Sequence, residues 1–255
     1  MKNWQLYDDL IAAIPEDLVV TQCLAGLSWF LVRSAGTGVA MRPRGLDTPV
    51  RNAGNIAGMK VRELATWIKS WDFYEAAMGL AAINSALNSR EMVAANCGAM
   101  LDKTRTSDVF TCMLDELRGK KVAVIGHFHN LERVANICEL SILERIPQDG
   151  DLPDPACEYI LPEQDVVIMT ATTLINKTMP RLLQLSRGRR VVVAGPSTPL
   201  HPLMFKHGID LLGGLVVDND TKVWQCVGEG GREALFNQGG RMVKVSPIPL
   251  ASAAL

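Results

Sequence analysis

The sequence lacks an excess of charge of either sign. It has 26 Lys and Arg residues against 27 Asp and Glu residues, so its formal net charge is −1. A protein that holds nucleic acid or an anionic membrane surface through its overall field carries a clear basic excess. We therefore expect neither nucleic acid nor a membrane among its partners.

Long apolar runs and an export signal are also missing. The longest mostly apolar stretch, residues 18–32, is interrupted by Thr21, Gln22 and Ser28. It is too short to cross the ~30 Å of hydrocarbon in a bilayer. A secretory signal begins with basic and then apolar residues, whereas this chain soon reaches acidic ones. We expect a cytoplasmic protein.

The cysteines lack the paired spacing of a structural zinc site. Six are scattered along the chain, and no Cys-x-x-Cys pair occurs. Scattered cysteines in a chain of 255 residues without an export signal are typical of reduced thiols, most of them small core residues. The sequence therefore predicts no structural zinc site.

What the sequence does have is enough apolar residues, 48% of the chain, to bury a large core. These residues follow two successive patterns. In residues 1–98, extended segments come first and helices follow, which predicts a small α+β domain. The predicted strands are residues 18–23, 27–32 and 39–41, and the predicted helices are residues 61–68 and 73–87.

Residues 99–255 follow a different pattern. A helix that begins at Thr106 or Ser107 and ends at Gly119 precedes five continuously apolar runs, which are typical of strands buried on both faces. Helical connectors separate most of these runs, so the region predicts a Rossmann-like parallel sheet with helices on both faces. The runs are residues 122–125, 140–143, 166–169, 191–194 and 211–217. Residues 89–106 are predicted as the linker between the domains, and residues 151–155 as a loop.

The residues that follow the predicted parallel strands are small, polar or flexible. Ligands of parallel sheets bind beyond the carboxyl ends of the strands, near the point where the strand order reverses. We therefore expect these residues to line one ligand-binding cleft with Asn84. They are Gly126, His127, Phe128, Glu144, Thr170, Thr172, Asn176, Gly195, Pro196, Ser197 and Thr198.

The first turn of this sheet invites comparison with a dinucleotide site. Gly126 supplies the first turn glycine, and Glu144 stands at about the right distance for a ribose contact. Phe128 and Leu131, however, occupy the positions of the second and third glycines. Because a Phe side chain obstructs the approach of backbone to pyrophosphate, the pattern argues against ordinary NAD binding.

Two histidines in this turn are candidates for metal binding. In an extended segment, His127 and His129 would point the same way and could bind a transition metal together with Glu144. The alternative is a curled loop with a solvated imidazole. If the protein catalyses a reaction, His127 and Glu144 are the candidate pair for proton transfer.

The remaining candidates each leave two interpretations open. The loop from Gly195 through Ser197 and Thr198 could hold an anionic group, or it could be a proline-stiffened turn that caps a helix. Thr170, Thr172 and Asn176 could orient a ligand or make turns. Asn84 lies on the apolar stripe of its helix, where it could bond core main chain or reach into a cleft.

The same segments resemble a known family along nearly the whole chain. The resemblance rests on residues 79–86, 126–128, 165–170, 176–178 and 195–200, which read GLAAINSA, GHF, DVVIMT, NKT and GPSTPL. They resemble the uncharacterised heavy-metal chelation domain family. The resemblance implies an enolase N-terminal-like domain followed by a Rossmann-like domain, with a site between them. The likeness to enolase concerns the fold alone, because the catalytic barrel of enolase would not fit in this chain.

Three functions are compatible with these patterns. The first is binding of a small anionic or metal-bearing ligand in an interdomain cleft, for heavy-metal chelation or handling of a metallated cofactor, with a transition metal as the candidate cofactor. The second is a transferase-like enzyme that uses a nucleotide or S-adenosylmethionine. The third is a non-catalytic interaction module, which predicts an exposed apolar patch instead of a cleft. Such domains often form homodimers, and no pattern here marks an interface.

Overall fold

A computed structural model describes residues 4–43, 45, 49–98, 101, 108–129 and 131–247. Its strands are β1 Gln22–Ala25, β2 Trp29–Arg33, β3 Thr37–Met41, β4 Lys121–Ile125, β5 Glu139–Glu144, β6 Leu152–Pro153, β7 Val166–Thr170, β8 Arg190–Ala194, β9 Leu211–Val217 and β10 Gly240–Val245. Its helices are α1 Gln5–Ala12, α2 Val61–Ala65, α3 Phe73–Leu87, α4 Arg90–Cys97, α5 Val109–Leu117, α6 Leu131–Ala135, α7 Cys157–Ile160, α8 Thr172–Ile175, α9 Met179–Leu185 and α10 Asp220–Gly228.

The N-terminal part is an antiparallel sheet packed on α3. The strand order is β1-β2-β3, and Phe30 on β2 pairs with Ala40 on β3. Asp72 precedes helix α3, and its carboxylate accepts the N–H groups of Tyr74 and Glu75 and so caps the first turn. Nearly every residue of α3 is buried, because the sheet covers one side of it and the C-terminal part covers another.

The C-terminal part is a sheet with the order β10-β9-β8-β7-β4-β5-β6. Neighbouring strands are parallel except for β10, which runs antiparallel to β9. The chain first builds β4, β5 and β6 outward and then returns to add β7 on the other side of β4. The strand order therefore reverses between β4 and β7, as in Rossmann-type sheets. The predicted fold class, a mixed α/β structure with one small antiparallel sheet and one mostly parallel sheet flanked by helices, is confirmed.

The two parts share a hydrophobic core. Leu80 and Ile83 of α3 belong to the same cluster of buried side chains as Val193 of β8 and Leu212 of β9. Helix α3 contacts α8, and β3 contacts β9. The two parts therefore pack directly against each other through apolar side chains. Within the described residues, no solvent-filled gap runs along the whole contact.

Several elements differ from the sequence-based predictions. Strand β10 was not predicted, because its polar Arg241 and Lys244 interrupt the apolar run that marked the other strands. Residues 90–97 of the predicted linker form α4, which Ser89 caps by accepting the N–H of Met92. The carboxylate of Asp108 caps α5, and the predicted cap residues 106 and 107 lie outside the described residues. Part of the predicted loop, Leu152–Pro153, pairs with β5 as β6. Within the described ranges, every helix is too short or too polar to cross a bilayer.

Candidate functional site

The carboxyl ends of β4, β7 and β8 meet at the point where the strand order reverses. Gly126 follows β4 with φ +99°, and Gly195 follows β8 with φ +112°, so both turns use a backbone conformation that favours glycine. A Cβ at Gly126 would lie 2.8 Å from Cγ2 of Thr170, and a Cβ at Gly195 would lie 3.9 Å from its Oγ1. The structure thus brings Gly126, Thr170 and Gly195 together, and we call these three residues the rim site.

Glu144 braces the turn after β4. Its Oε1 accepts the N–H of His127 at 3.0 Å, and its Oε2 accepts the N–H of Arg145 at 2.8 Å. Both oxygens therefore bond main chain, and the carboxylate links the loop that follows β4 to the loop that follows β5.

The imidazole of His127 lies beside a different carboxylate. Its Nδ1 is 3.4 Å from Oδ2 of Asp151, whose side chain is only 2% exposed and also accepts the N–H of Gln148. A buried carboxylate next to Nδ1 orients an imidazole and leaves Nε2 available. Sequence reasoning missed Asp151, because the residue lies in a segment that was predicted as an ordinary loop.

Phe128 packs beside the rim site, with its Cε2 3.8 Å from the position of a Cβ at Gly126, whereas the side chain of His129 extends into solvent. His129 is exposed, and its Nε2 lies 3.4 Å from Oε1 of Glu233. The ring of Phe128 packs against Phe110, with centroids 5.2 Å apart. The two imidazoles therefore face separate carboxylates, Asp151 for His127 and Glu233 for His129.

In the segment after β7, hydrogen bonds from side chains stabilise two successive turns. Oγ1 of Thr170 lies 3.1 Å from Oγ1 of Thr172, so one hydroxyl donates to the other. Oδ1 of Asn176 accepts the N–H and the hydroxyl of Thr178 at 3.1 and 2.7 Å. This turn holds Lys177 at φ +68°, an unusual conformation for a residue with a side chain. Asn176 thus makes a turn, while Thr170 remains at the rim.

The loop after β8 connects the two parts of the protein. Ser197 and Thr198 are 2% and 0% exposed. Oγ of Ser197 accepts the N–H of Met41 at 2.9 Å, so it bonds to the end of β3. Pro196 is half-buried. The Ser197 hydroxyl is therefore part of the contact between β3 and this loop, whereas Oγ1 of Thr198 is buried and has no hydrogen-bond partner among the described residues.

Asn84 lies within that contact and is fully buried. Its Nδ2 donates to the carbonyl oxygens of Val39 at 2.9 Å and Ser197 at 3.0 Å. Of the two arrangements that the sequence left open, the structure has the one in which the amide bonds core main chain, here on both sides of the contact.

We expect Asn84→Ala to lower the free energy of unfolding by about 2 kcal/mol, because two buried carbonyl groups lose a donor. Urea denaturation measures the change, and Asn55→Ala, at an exposed loop position, is the matched control. Unchanged stability in the Asn84 variant would contradict the structural role of this amide.

Two cations flank Phe73 at the first turn of α3. The guanidinium carbon of Arg145 lies 5.5 Å from the centre of the Phe73 ring, and Nζ of Lys177 lies 5.7 Å from it. Arg145 directly follows Glu144, the last residue of β5, so it lies at the carboxyl end of that strand. Neither cation was a sequence-based candidate, and the only signal for Arg145 is its position after a predicted strand.

The donor set does not fit a resident heavy metal. Within the described residues, no group of three or more His, Cys, Asp or Glu side chains could hold one ion. Soft metals prefer thiolates. Burial raises the pKa of Cys97 to about 11 and that of Cys157 to about 12, so both remain neutral thiols at pH 7. No step that uses a bound metal follows from these residues.

Comparison with known proteins gives two matching family models. DUF364 matches residues 108–246 and DUF4213 matches residues 7–87, and each is described as "Putative heavy-metal chelation". An uncharacterised protein of Methanocaldococcus jannaschii is 29% identical over 194 residues, which are 70% of each chain.

Two crystal structures resemble this chain over most of its length. A DUF364 protein of unknown function from Desulfitobacterium hafniense is 36% identical, with a TM-score of 0.88, covering 95% of this chain and 98% of that one. A second DUF364 protein of unknown function, from Pyrococcus horikoshii, is 21% identical, with a TM-score of 0.79, covering 96% of this chain and 100% of that one. At this identity the likeness supports the fold alone. Because the DUF364 model spans more than half of the sequence, the chain belongs to the DUF364 family.

Proposed function

We propose that this protein binds a small anion, either free or as the chelator of a heavy-metal ion, at the rim site. The observation that carries the proposal is the meeting of the Gly126 and Gly195 turns at Thr170, where the strand order reverses. Arg145 lies in the neighbouring loop, because Glu144 beside it accepts the N–H of His127 in the Gly126 turn. An arginine that follows a strand of a parallel sheet is close to the edge where such sheets bind ligands.

The rim site suits an anion because it offers donors and close access to backbone. The Gly195 turn leaves its main chain accessible, because the nearest atom to a Cβ there is Oγ1 of Thr170 at 3.9 Å, whereas the side chains of Thr170 and Phe128 lie against Gly126. The Thr170–Thr172 pair uses one hydroxyl hydrogen internally and has the other available for a ligand, and a guanidinium binds carboxylate or phosphate with two parallel hydrogen bonds.

In this proposal the metal ion is already held by a chelating anion, and the protein binds the complex of the two. The description of the family suggests a role in metal chelation, whereas the described side chains offer no cluster of three ligands. A protein can still recognise a metal complex through the charge of its chelating anion. The Arg145 guanidinium would then contact carboxylate or phosphate oxygens, not the metal.

We expect citrate and ferric citrate to raise the melting temperature of protein made without a histidine tag, measured by differential scanning fluorimetry. A ligand at 100 times its dissociation constant stabilises a protein by ~2.7 kcal/mol. Arg145→Met should remove most of this shift. Arg187→Met is the matched control, because Arg187 is exposed and precedes β8, at the opposite end of the sheet.

The two probes separate the parts of the proposal. A shift with citrate and none with ferric citrate would contradict the metal-complex part alone. An equal shift in the Arg145 and Arg187 variants, or no shift with inorganic phosphate, citrate or ferric citrate, would contradict the rim site itself.

A second candidate is a transferase-like enzyme with a nucleotide or S-adenosylmethionine at the same edge. The strand order and the Gly126 turn favour it, because cofactors of Rossmann-type sheets bind at this reversal. His127, with Asp151 beside its Nδ1, would be the group that moves a proton. Stabilisation by ATP or S-adenosylmethionine, and not by citrate, would favour this candidate over the first.

A further inference from the structure

A groove of about 320 Å³ lies between α1 and α9, apart from the rim site. Trp4, Tyr7 and Trp71 form its aromatic wall, and Lys177, Arg181 and Gln184 form its polar wall. This volume lies in the range of pockets that take small molecules.

One end of the aromatic wall, at Tyr7, is buried, and the other end, at Trp71, is exposed to solvent. Tyr7 is buried and its hydroxyl donates to the carbonyl of Leu174, which ties α1 to α8. Trp4 packs edge-to-face on Tyr7, with centroids 5.3 Å apart, and on Trp71 at 6.1 Å. Trp71 is 73% exposed, although exposure of a large aromatic ring to water is costly. Exposed aromatic surface that continues a groove is typical of a ligand site.

Lys177 is held at the groove by its backbone. Its φ of +68° is unusual for a residue with a side chain, and the Asn176 turn maintains it. Its Nζ donates to the carbonyl of Ile175 at 2.5 Å. Strained backbone of this kind persists where the surrounding structure enforces it, and it is common at ligand sites.

Lys177 is also the cation of the groove that has no carboxylate partner among the described residues. Arg181 forms a two-pronged ion pair with Glu158, with distances of 2.8 and 2.5 Å, and Lys69 beside Trp4 pairs with Asp8. Burial of Lys177 lowers its pKa to about 8, so much of it is still protonated at pH 7. An ammonium that is partly desolvated and lacks a counter-charge gains more from a bound anion than a solvated one does.

We propose that this groove binds a planar aromatic carboxylate. The ring of the ligand packs on Trp4 and Trp71, where aromatic rings stack offset or edge-on, and its carboxylate contacts Nζ of Lys177. The proposal is independent of the rim site, since it uses neither Arg145 nor the glycine turns.

The test is a titration of the full chain with benzoate, followed by tryptophan fluorescence and by calorimetry, with neutral benzamide as the matched ligand. We expect benzoate to bind at least tenfold more tightly than benzamide. Lys177→Met should weaken benzoate binding at least tenfold and leave benzamide binding nearly unchanged. Trp71→Ala should weaken both, and because Trp71 is mostly exposed, the substitution leaves the hydrophobic core intact.

Lys222→Met, at an exposed position of α10, is the charge-matched control and should bind benzoate as the unmodified protein does. Equal affinity for benzoate and benzamide, full binding by either groove variant, or no binding of benzoate would overturn the proposal. Arg145→Met should leave benzoate binding intact, and Trp71→Ala should leave the citrate shift intact, so the failure of one site is distinguishable from the failure of the other.

Discussion

Gly38→Ala is expected to destabilise the native state severely. A Cβ at Gly38 of β3 would lie 2.0 Å from the carbonyl oxygen of Ala81 and 2.1 Å from the nitrogen of Ser85. Both atoms belong to the backbone of α3, so no side-chain rotation relieves the overlap. Helix α3 would have to move away from the sheet, and it is buried between the sheet and the C-terminal part.

We expect the free energy of unfolding to fall by about 4 kcal/mol or more, a large part of the ~5–15 kcal/mol available to a typical protein. Expression yield, circular dichroism and urea denaturation measure the loss. Gly98→Ala is the matched control, because Gly98 has helical φ and ψ and nothing lies within 4 Å of a Cβ there. It should be neutral or slightly stabilising. Near-native stability of the Gly38 variant would show that α3 does not pack this closely on β3.

The second large effect is expected for Asn88→Ala. Asn88 is 2% exposed and follows the last turn of α3. Its Nδ2 donates to the carbonyls of Thr198 at 2.9 Å and Leu215 at 3.3 Å, and its Oδ1 accepts the N–H of Leu200 at 2.8 Å. One side chain thus satisfies three main-chain groups of the C-terminal part, all of them in buried surroundings.

Removal of this amide should lower the free energy of unfolding by about 3–5 kcal/mol, since each buried group left without a partner costs ~1–3 kcal/mol. This is more than we expect for Asn84→Ala, which removes two bonds. Asn237→Ala, at an exposed position, is the control and should change stability by less than ~0.5 kcal/mol. A loss no greater in the Asn88 variant than in the Asn237 variant would contradict the bonds to the loop after β8.

The parallel sheet could be predicted from the sequence because its strands are buried on both faces. The run Val191–Ala194 lies within β8, and the run Leu211–Val217 coincides with β9. Strand β10 could not be found in this way, because an edge strand with polar residues such as Arg241 does not form an apolar run. The helix over residues 73–87 was also predictable, although its burial on most sides depends on contacts that are distant in sequence.

The sequence could predict which residues meet at the edge of the sheet, whereas their role in ligand binding stays a prediction. Strand order brings Gly126, Thr170 and Gly195 to one edge, and the residues that follow parallel strands indicate this without a structure. The sequence could not show that Ser197 faces the end of β3 and not a cleft, because that depends on how closely the N-terminal part packs. It also could not pair His127 with Asp151, which are brought together by the short strand β6.

The hydrophobic core that spans both parts limits how a ligand can enter. In many two-part proteins the halves swing about a hinge, which requires an interface that can open without exposing much apolar surface. Here a hinge rotation would expose Leu80 and Ile83 of α3 and break the bonds of Asn84 and Asn88. Access should therefore depend on local movement of the loops that carry Arg145 and Lys177, while the two halves remain one rigid body that melts in a single calorimetric transition.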